Sequence, residues 1–375
     1  MSAPTTAADL DLSALRRWPD VEAPNLHAVD ASDRLILDEA AAALAESGPG
    51  EVVVIGDAYG ALTIGAATIG AATGIRVFQD SIVAERALAA NAGDALDYVN
   101  LPLGAELLRG ATVVLMQLPR SLAELDELAA RIASTADPAV RVYAGGRIKH
   151  MTTAMNEVLA RHFGRVDVTL ARQKSRALIA SQPLPSEPPT IAREFHADLG
   201  IWVCATGATF AGTRIDIGTR ALLAVLPTVA PDATTAADLG CGSGVVAAVL
   251  ARARPGLDLL ASDVSAGAVA SARATAEANG LTNVTVTRDD ALAERPTASL
   301  DLVVLNPPFH LGATVHTGAA SKLFAAADRV LKPGGELVTV YNSHLGYRAE
   351  LNRVVGPTDE LSRNSKFTVT RSRKN

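Results

Sequence analysis

The strongest constraint on the fold is that one pattern is written twice. "EVVVIGDAYGAL" (Glu51 to Leu62) and "AADLGCGSGVVAAVLA" (Ala236 to Ala251) each run a strand-like apolar segment into a glycine turn and then into small residues suited to a helix. That order is the opening unit of a parallel α/β sheet. The match continues downstream. From Gly56 to Asp80, in "IRVFQDS", is 24 residues, and from Gly240 to Asp263, in "LDLLASDVS", is 23, so a second strand ends in an acid at nearly the same offset. "ATVVLMQLPR" then corresponds to "LDLVVLNPPF", and "VRVYAGGRI" to "GELVTVYNS". Alternating strands and helices in each half predict two tandem, doubly wound, mostly parallel sheets. With 375 residues, 49% hydrophobic and 20% charged, the chain can bury two cores and is too apolar for wholesale disorder.

The break falls in "QPLPSEPPT" (Gln182 to Thr190), whose four prolines suit neither a helix nor a central strand. Residues 1–185 and 186–375 are the expected domains. Two cysteines without a CxxC pair, and no dense His/Cys cluster, speak against a disulfide framework or a metal site. The opening residues lack a charged head followed by an apolar core, so a cytoplasmic protein is expected. Ala58 to Ile75 carries no charge, but its Gly, Ala and Thr content predicts a buried helix after a glycine turn instead of a membrane span. A formal charge of -6 excludes an evenly basic coat and leaves local patches open.

The two halves differ where chemistry would reside. Glycines 240, 242 and 244 stand where the first half has Gly56, Asp57 and Gly60, and Asn306-Pro307-Pro308-Phe309 stands where it has Met116-Gln117-Leu118-Pro119. Only the second half keeps a full polar and glycine set, which predicts one active site. In open parallel sheets ligands bind beyond the carboxyl ends of the strands. Glycines there permit a tight turn and let backbone N–H groups approach a ligand. The spacing G-x-G-x-G lacks the later glycine of the dinucleotide fingerprint and tilts the reading from a nicotinamide cofactor towards S-adenosylmethionine. Asp263 is placed to accept from both ribose hydroxyls, with helix capping near Ser265 as the competing role. Asp290, with the Ala291 backbone, is the candidate for the adenine amine, and its neighbour Asp289 competes for that place. Asp238 and Val264 complete this part of the candidate set. Cys241 reads as a small buried residue, since no His or second Cys accompanies it.

"VVLNPPFHLG" (Val303 to Gly312) closes a strand with Asn306 and two prolines. The Asn306 side-chain carbonyl and the Pro307 backbone carbonyl are two acceptors on a stiff turn, able to grip both hydrogens of a planar exocyclic amine. Phe309 can stack on the ring bearing it. Such an amine is a weak nucleophile, so orientation and acceptance of the charge developing on nitrogen are what it needs, and no strong base is required beforehand. Pro308 and His310 are candidate substrate contacts; His310 is as suited to holding the loop as to acting as a base.

With "DLGCGSGVVA", "SDVSAGAVASA" and "LNPPFH", the second half resembles a class I S-adenosylmethionine-dependent methyltransferase. The whole chain is similar to the bacterial rRNA guanine-N2 methyltransferases, in which a degenerate methyltransferase-like domain precedes the active one. The resemblance implies two Rossmann-like domains and N2-methylguanine as product. "FAGTRIDIGTRALL" (Phe210 to Leu223) resembles the segment that closes over the cofactor in that family, implying roles for Asp216, Gly218 and Thr219. "HLGYRAEL" and "NSKFTV" look like its terminal helix and strand. "IGDAYGAL", "FQDSIVAE", "LPRSLAEL" and "RVYAGGRIKHM" look more like the large-subunit type acting on 23S rRNA than the small-subunit, 16S type. The segment "HLGATVHTGAAS" and the Asp289-Asp290 pair depart from the family pattern.

Residues 141–176 hold Arg141, Arg147, Lys149, Arg161, Arg165, Arg172, Lys174 and Arg176 against Glu157 and Asp167. Phosphate contact by Arg147, Lys149, Arg172 and Lys174 is one reading of that excess, and an ordinary solvated face is the other. A second basic cluster, from Arg363 to Lys374, ends the chain, with a frayed terminus as its alternative reading. The expected protein is a monomeric enzyme with rRNA as partner and neither metal nor membrane. The residues alone leave adenine N6 or a glutamine amide as alternative acceptors, and a non-catalytic RNA-binding assembly factor as an alternative class.

Overall fold

The computed structural model describes residues 10–307 and 313–375, the side chains of 313–317 excepted. The chain divides between Thr190 and Ile191 into two compact units. In the first, β1 (Val52–Ile55), β2 (Ile75–Phe78), β3 (Tyr98–Asn100), β4 (Val113–Gln117), β5 (Arg141–Arg147), β6 (Phe163–Val168) and β7 (Ser175–Pro183) form one sheet in the order β3-β2-β1-β4-β5-β7-β6. In the second, β8 (Ala192–His196) and β9 (Ile201–Ala205) form a separate hairpin. β10 (Thr235–Leu239), β11 (Asp258–Asp263), β12 (Val284–Arg288), β13 (Leu300–Leu305), β14 (Leu331–Asn342), β15 (Thr358–Arg363) and β16 (Phe367–Arg373) then repeat the first order as β12-β11-β10-β13-β14-β16-β15. Both are the doubly wound α/β sheets that the repeated pattern predicts.

The central strands are apolar runs because both faces are covered. Val52 to Ile55 are buried throughout, and Leu302 to Leu305 are fully buried. In each unit one cluster packs on either face of the sheet, with Leu222, Val246 and Leu250 on one side of the second and Phe324, Leu337 and Tyr341 on the other. Each such side chain contributes about 1.5–3 kcal/mol relative to exposure. The uncharged segment after Gly60 becomes the helix Ala61–Ile69. Among the described residues no helix is long and apolar enough to cross a membrane. The C-terminal basic cluster does not fray: β16 pairs antiparallel with both β14 and β15.

Register places the loops. The order of each sheet reverses between β1 and β4, or β10 and β13, and this switch point is where loops diverge and leave a crevice. Leu239 pairs with Leu305 and with Ser262, so Gly240 and Asn306, each one residue further on, leave the sheet beside Asp263, the last residue of β11. In the first unit Ile55 pairs with Met116 and with Phe78. The residues matching Asp263 and Asn306 are therefore Gln79 and Gln117, which corrects both correspondences drawn from the sequence. Asp80 lies one position beyond the true counterpart, and the Asn-Pro-Pro turn aligns with Gln117-Leu118-Pro119. Counting from Gly56 and Gly240 gives 23 residues to Gln79 and to Asp263 alike.

Candidate active site

At the end of β10 the chain turns through Gly240, Gly242 and Gly244, all left-handed, with φ of 74°, 54° and 77°. Gly244 opens the helix Val245–Ala253, and a Cβ there would come within 3.0 Å of Ala272 on the next helix. It is a packing glycine. At Gly240 and Gly242 a Cβ would meet nothing within 4 Å among the described residues, so these two line open space there. Asp263 borders that space. Its carboxylate accepts from Gly242 N at 3.0 Å and Ser265 N at 3.0 Å, which fixes it across the mouth of the turn. Capping of the helix Ala266–Ala278 falls to Ser265, whose hydroxyl accepts from Ala268 N at 3.0 Å. Val264 lies between them, and its carbonyl accepts from Arg288 Nε at 3.3 Å.

Beneath the turn Asp238 is 4% exposed and accepts from Ala247 N at 3.0 Å. Burial, reinforced by the charge of Asp263, pushes its carboxyl up to about 7. Burial also pushes the Cys241 thiol well up, which removes it as a nucleophile. After β12, Asp289 spends its carboxylate on Asp290 N at 2.7 Å and Glu294 N at 3.1 Å. Asp290 instead pairs with Lys322 Nζ at 2.6 Å, a partner that no spacing in the sequence marks. Ala291 and Leu292 follow, both with φ of 56°. Two consecutive non-glycine residues in this region are costly, and here they form a buried wall.

Asn306 is held by a relay. Asp216 caps the helix Ile217–Val225, accepting from Gly218 N at 2.8 Å and Thr219 N at 3.1 Å. The Thr219 hydroxyl donates its one hydrogen to the other Asp216 oxygen, so towards Asn306 it can only accept. Asn306 Nδ2 donates to it at 3.1 Å, which fixes the amide's orientation. The opposite end, Oδ1, is shielded from solvent and has no hydrogen-bond partner among the described residues. Pro307 follows and is buried. Pro308, Phe309 and His310 lie outside the described residues. Among the described residues no group of three or more His, Cys, Asp and Glu side chains could hold a metal.

The first unit keeps the backbone of this turn and lines it with different side chains. Gly56, Ala58 and Gly60 have φ of 73°, 57° and 99°, nearly repeating glycines 240, 242 and 244. Ala58 N donates to Gln79 Oε1 at 3.2 Å where Gly242 N donates to Asp263. A Cβ at Gly56 would meet the Gln117 backbone O at 3.7 Å, so that wall is closer. Asp57 turns inward and accepts from Leu62 N at 2.8 Å and Thr63 N at 2.8 Å. Gln117, in the place of Asn306, is held differently: its Nε2 donates to Asp33, and its Oε1 lies 3.1 Å from the Ser32 hydroxyl, whose one hydrogen it shares with the Asp30 carboxylate.

The basic run of the first unit is partly neutralised. Arg161 pairs with Asp126 at 3.1 Å, Arg165 with Asp167 at 2.7 Å, and Arg172 with Asp38. Arg147 lies 3.9 Å from Asp30, and its buried Nε has no partner among the described residues. Lys149 sits in the short turn Ile148–His150, and Lys174 has φ of 61° in the β6–β7 loop. At the C-terminus Arg373 pairs with Glu336 at 3.0 Å and Lys374 with Asp328 at 2.6 Å, so much of that second cluster is spent within the fold.

Two family models cover the chain, the RLMG N-terminal domain over residues 4–185 and the methyltransferase small domain over 200–371. Ribosomal RNA large subunit methyltransferase G of Streptomyces avermitilis is 35% identical over 96% of this chain and 96% of its own. That of Pseudomonas aeruginosa is 36% identical over 99% of each. The chain belongs to the ribosomal RNA large subunit methyltransferase G family. Among solved structures, a Thermus thermophilus 16S rRNA N2 G1207 methyltransferase, in complex with AdoMet and guanosine, superposes with a TM-score of 0.71 at 21% identity. It covers 90% of this chain and 92% of its own, and it carries the same two-unit fold.

Proposed function

We propose that the chain transfers a methyl group from S-adenosylmethionine to the exocyclic N2 amine of a guanine in large-subunit, 23S, rRNA. The observation that carries this reading is Asn306: its nitrogen end is tied to Thr219, and among the described residues its buried carbonyl oxygen has nothing to accept from. An unpaired buried acceptor costs about 1–3 kcal/mol, a cost that a bound N–H removes. The residues beside it fit the cofactor. The open space over Gly240 and Gly242 admits a ligand close to backbone N–H groups, and Asp263 offers a fixed carboxylate for ribose hydroxyls. Asp290 and Ala291 would border the adenine. The sulfonium of S-adenosylmethionine supplies an electrophilic methyl group.

In this reading Asn306 Oδ1 and the Pro307 carbonyl orient the acceptor amine, and the charge growing on its nitrogen strengthens both hydrogen bonds as bond formation proceeds. Asp216 and Thr219 act as positioning residues for Asn306. Base chemistry at a ring edge requires the nucleotide out of its stack. The first unit serves to hold RNA, and the protein acts as a monomer in the cytoplasm. The test is incubation of the purified chain with labelled cofactor and unmodified 23S and 16S rRNA, followed by identification of the methylated nucleoside. N2-methylguanosine in 23S rRNA is expected; label confined to 16S rRNA, adenine or protein rejects the substrate.

A further inference from the structure

The first unit contains two adjoining recesses that the reaction does not use. One, of about 860 Å³, lies between the N-terminal segment around Leu12 to Arg34 and the residues Arg147 and Gln173. The other, of about 130 Å³, is lined by Gln117, Leu118, Arg120, Gly146 and His150, at the ends of β4 and β5. Both include Asp30 and Arg147, so the guanidinium stands between them. By register the small recess is the counterpart of the Asn306 turn in the second unit.

Charge in the recesses is uneven. Arg16, Arg17, Arg34, Arg120 and Arg147 line them against Glu22 and Asp30, inside a chain of net charge -6. Arg16 is spent on Glu22, Arg17 on Asp20 and the Val21 carbonyl, and Arg34 on the Leu10 carbonyl at 3.0 Å. Asp30 is committed to the backbone and hydroxyl of Ser32. Two cations stay available: Arg120 is exposed and makes no hydrogen bond or ion pair among the described residues, and Arg147 has an unsatisfied buried Nε and only the 3.9 Å approach to Asp30. Burial, with Arg120, Lys149 and Arg147 nearby, holds the His150 imidazole below its ordinary value, as a positive local field requires. The larger recess adds apolar walls from Leu12, Leu15, Leu26 and Val29 and falls in the size range of pockets that take small organic ligands.

We propose that this paired recess binds one nucleotide of single-stranded RNA, its phosphate between Arg120 and Arg147 and its ring in the larger pocket. A forked guanidinium pair suits phosphate oxygens, and an apolar recess edged by arginines suits a base. The proposal rests on the reading that the chain acts on RNA and assigns the holding role to the vacated acceptor end of the first cleft. The paired arginines at 161, 165 and 172 are left out of it.

The test is fluorescence anisotropy of a labelled 12-nucleotide single-stranded RNA with the full chain, at several salt concentrations. S-adenosylmethionine affinity, measured on the same samples, reports that each variant is folded. Arg147→Glu is expected to raise the RNA Kd by about tenfold or more and to flatten the salt slope by about one phosphate contact, Arg120→Ala by a few-fold, and Arg161→Glu hardly at all. Arg147→Lys, which keeps charge and loses the fork, falls between. Unchanged RNA affinity in Arg147→Glu and Arg120→Ala, or an equal loss in Arg161→Glu, overturns the pocket even when methyl transfer to rRNA is intact. Binding of a 5′-mononucleotide, followed by calorimetry, separates the two claims: if it depends on Arg147 while no rRNA is methylated, the functional reading falls and the pocket stands.

Discussion

The two units share strand order, a glycine turn and a loop geometry, yet at each position where a ligand would be read they differ. Gly242 faces open space; Ala58 holds nearly the same φ and adds a methyl group. Asp263 presents a carboxylate where Gln79 presents an amide, and Asp238 lies under the turn where Val54 occupies the first unit. Among the described residues Asn306 has a partner at its nitrogen end alone, whereas Gln117 donates to Asp33 and its oxygen shares the Ser32 hydroxyl with Asp30. Thr219 and Asp33, each in the first turn of a helix capped by an aspartate, hold those two amides. The lesson is that a cleft can be retired while its scaffold remains. Exchanging a few side chains at the strand ends changes what a ligand would meet, and the buried strands that carry the fold stay as they are.

The comparison breaks first, and by the largest margin, at Asn306. Asn306→Ala is expected to lower methyl transfer by about 100- to 1000-fold while S-adenosylmethionine affinity changes little; comparable activity in the variant, measured by single turnover on rRNA, would remove the amide from the chemistry. Gly242→Ala converts the second turn to the form seen at Ala58. The added Cβ meets no protein atom within 4 Å, so the chain should fold at a cost of about 1 kcal/mol for the left-handed alanine, and lose about tenfold in cofactor affinity. Wild-type affinity in that variant would place the ligand away from the turn.

Thr219→Val is a smaller probe. It removes the acceptor that orients the Asn306 amide, and a several-fold fall in kcat with unchanged cofactor Kd is expected. The least effect comes from Asp238→Asn. Because Asp238 titrates near 7 in the folded chain and near 3.8 when unfolded, the folded state binds its proton more tightly. Its contribution to stability therefore declines as pH rises from about 4 to about 7 and is level above. The asparagine variant should gain a few degrees in Tm relative to the parent at pH 8 and nothing near pH 4, by thermal denaturation. An advantage independent of pH would show that ionisation is not its source.

Much of this was legible in the sequence, for identifiable reasons. Strand, glycine turn and small-residue helix are local patterns, so both sheets, the switch points and the positions of Gly240, Asp263 and Asn306 could be read from spacing. The parallel pairing supplied what spacing did not. The acid at Asp80 drew attention from Gln79, although an equal count from the two glycine turns marks Gln79, because a charged residue looks more functional than a buried amide. The roles of Thr219 and Lys322 depend on contacts 87 and 32 residues away in the chain and carry no local sign. The basic run was visible as composition, but which arginines are neutralised follows only from partners such as Asp38 and Asp126 in other elements.

The central claim, that one of two similar clefts is open to S-adenosylmethionine, is tested most directly by calorimetric titration of the full chain. One cofactor per chain is predicted, with binding lost in Asp263→Ala and kept in Gln79→Ala. Two sites per chain, or binding lost in Gln79→Ala and kept in Asp263→Ala, would contradict it.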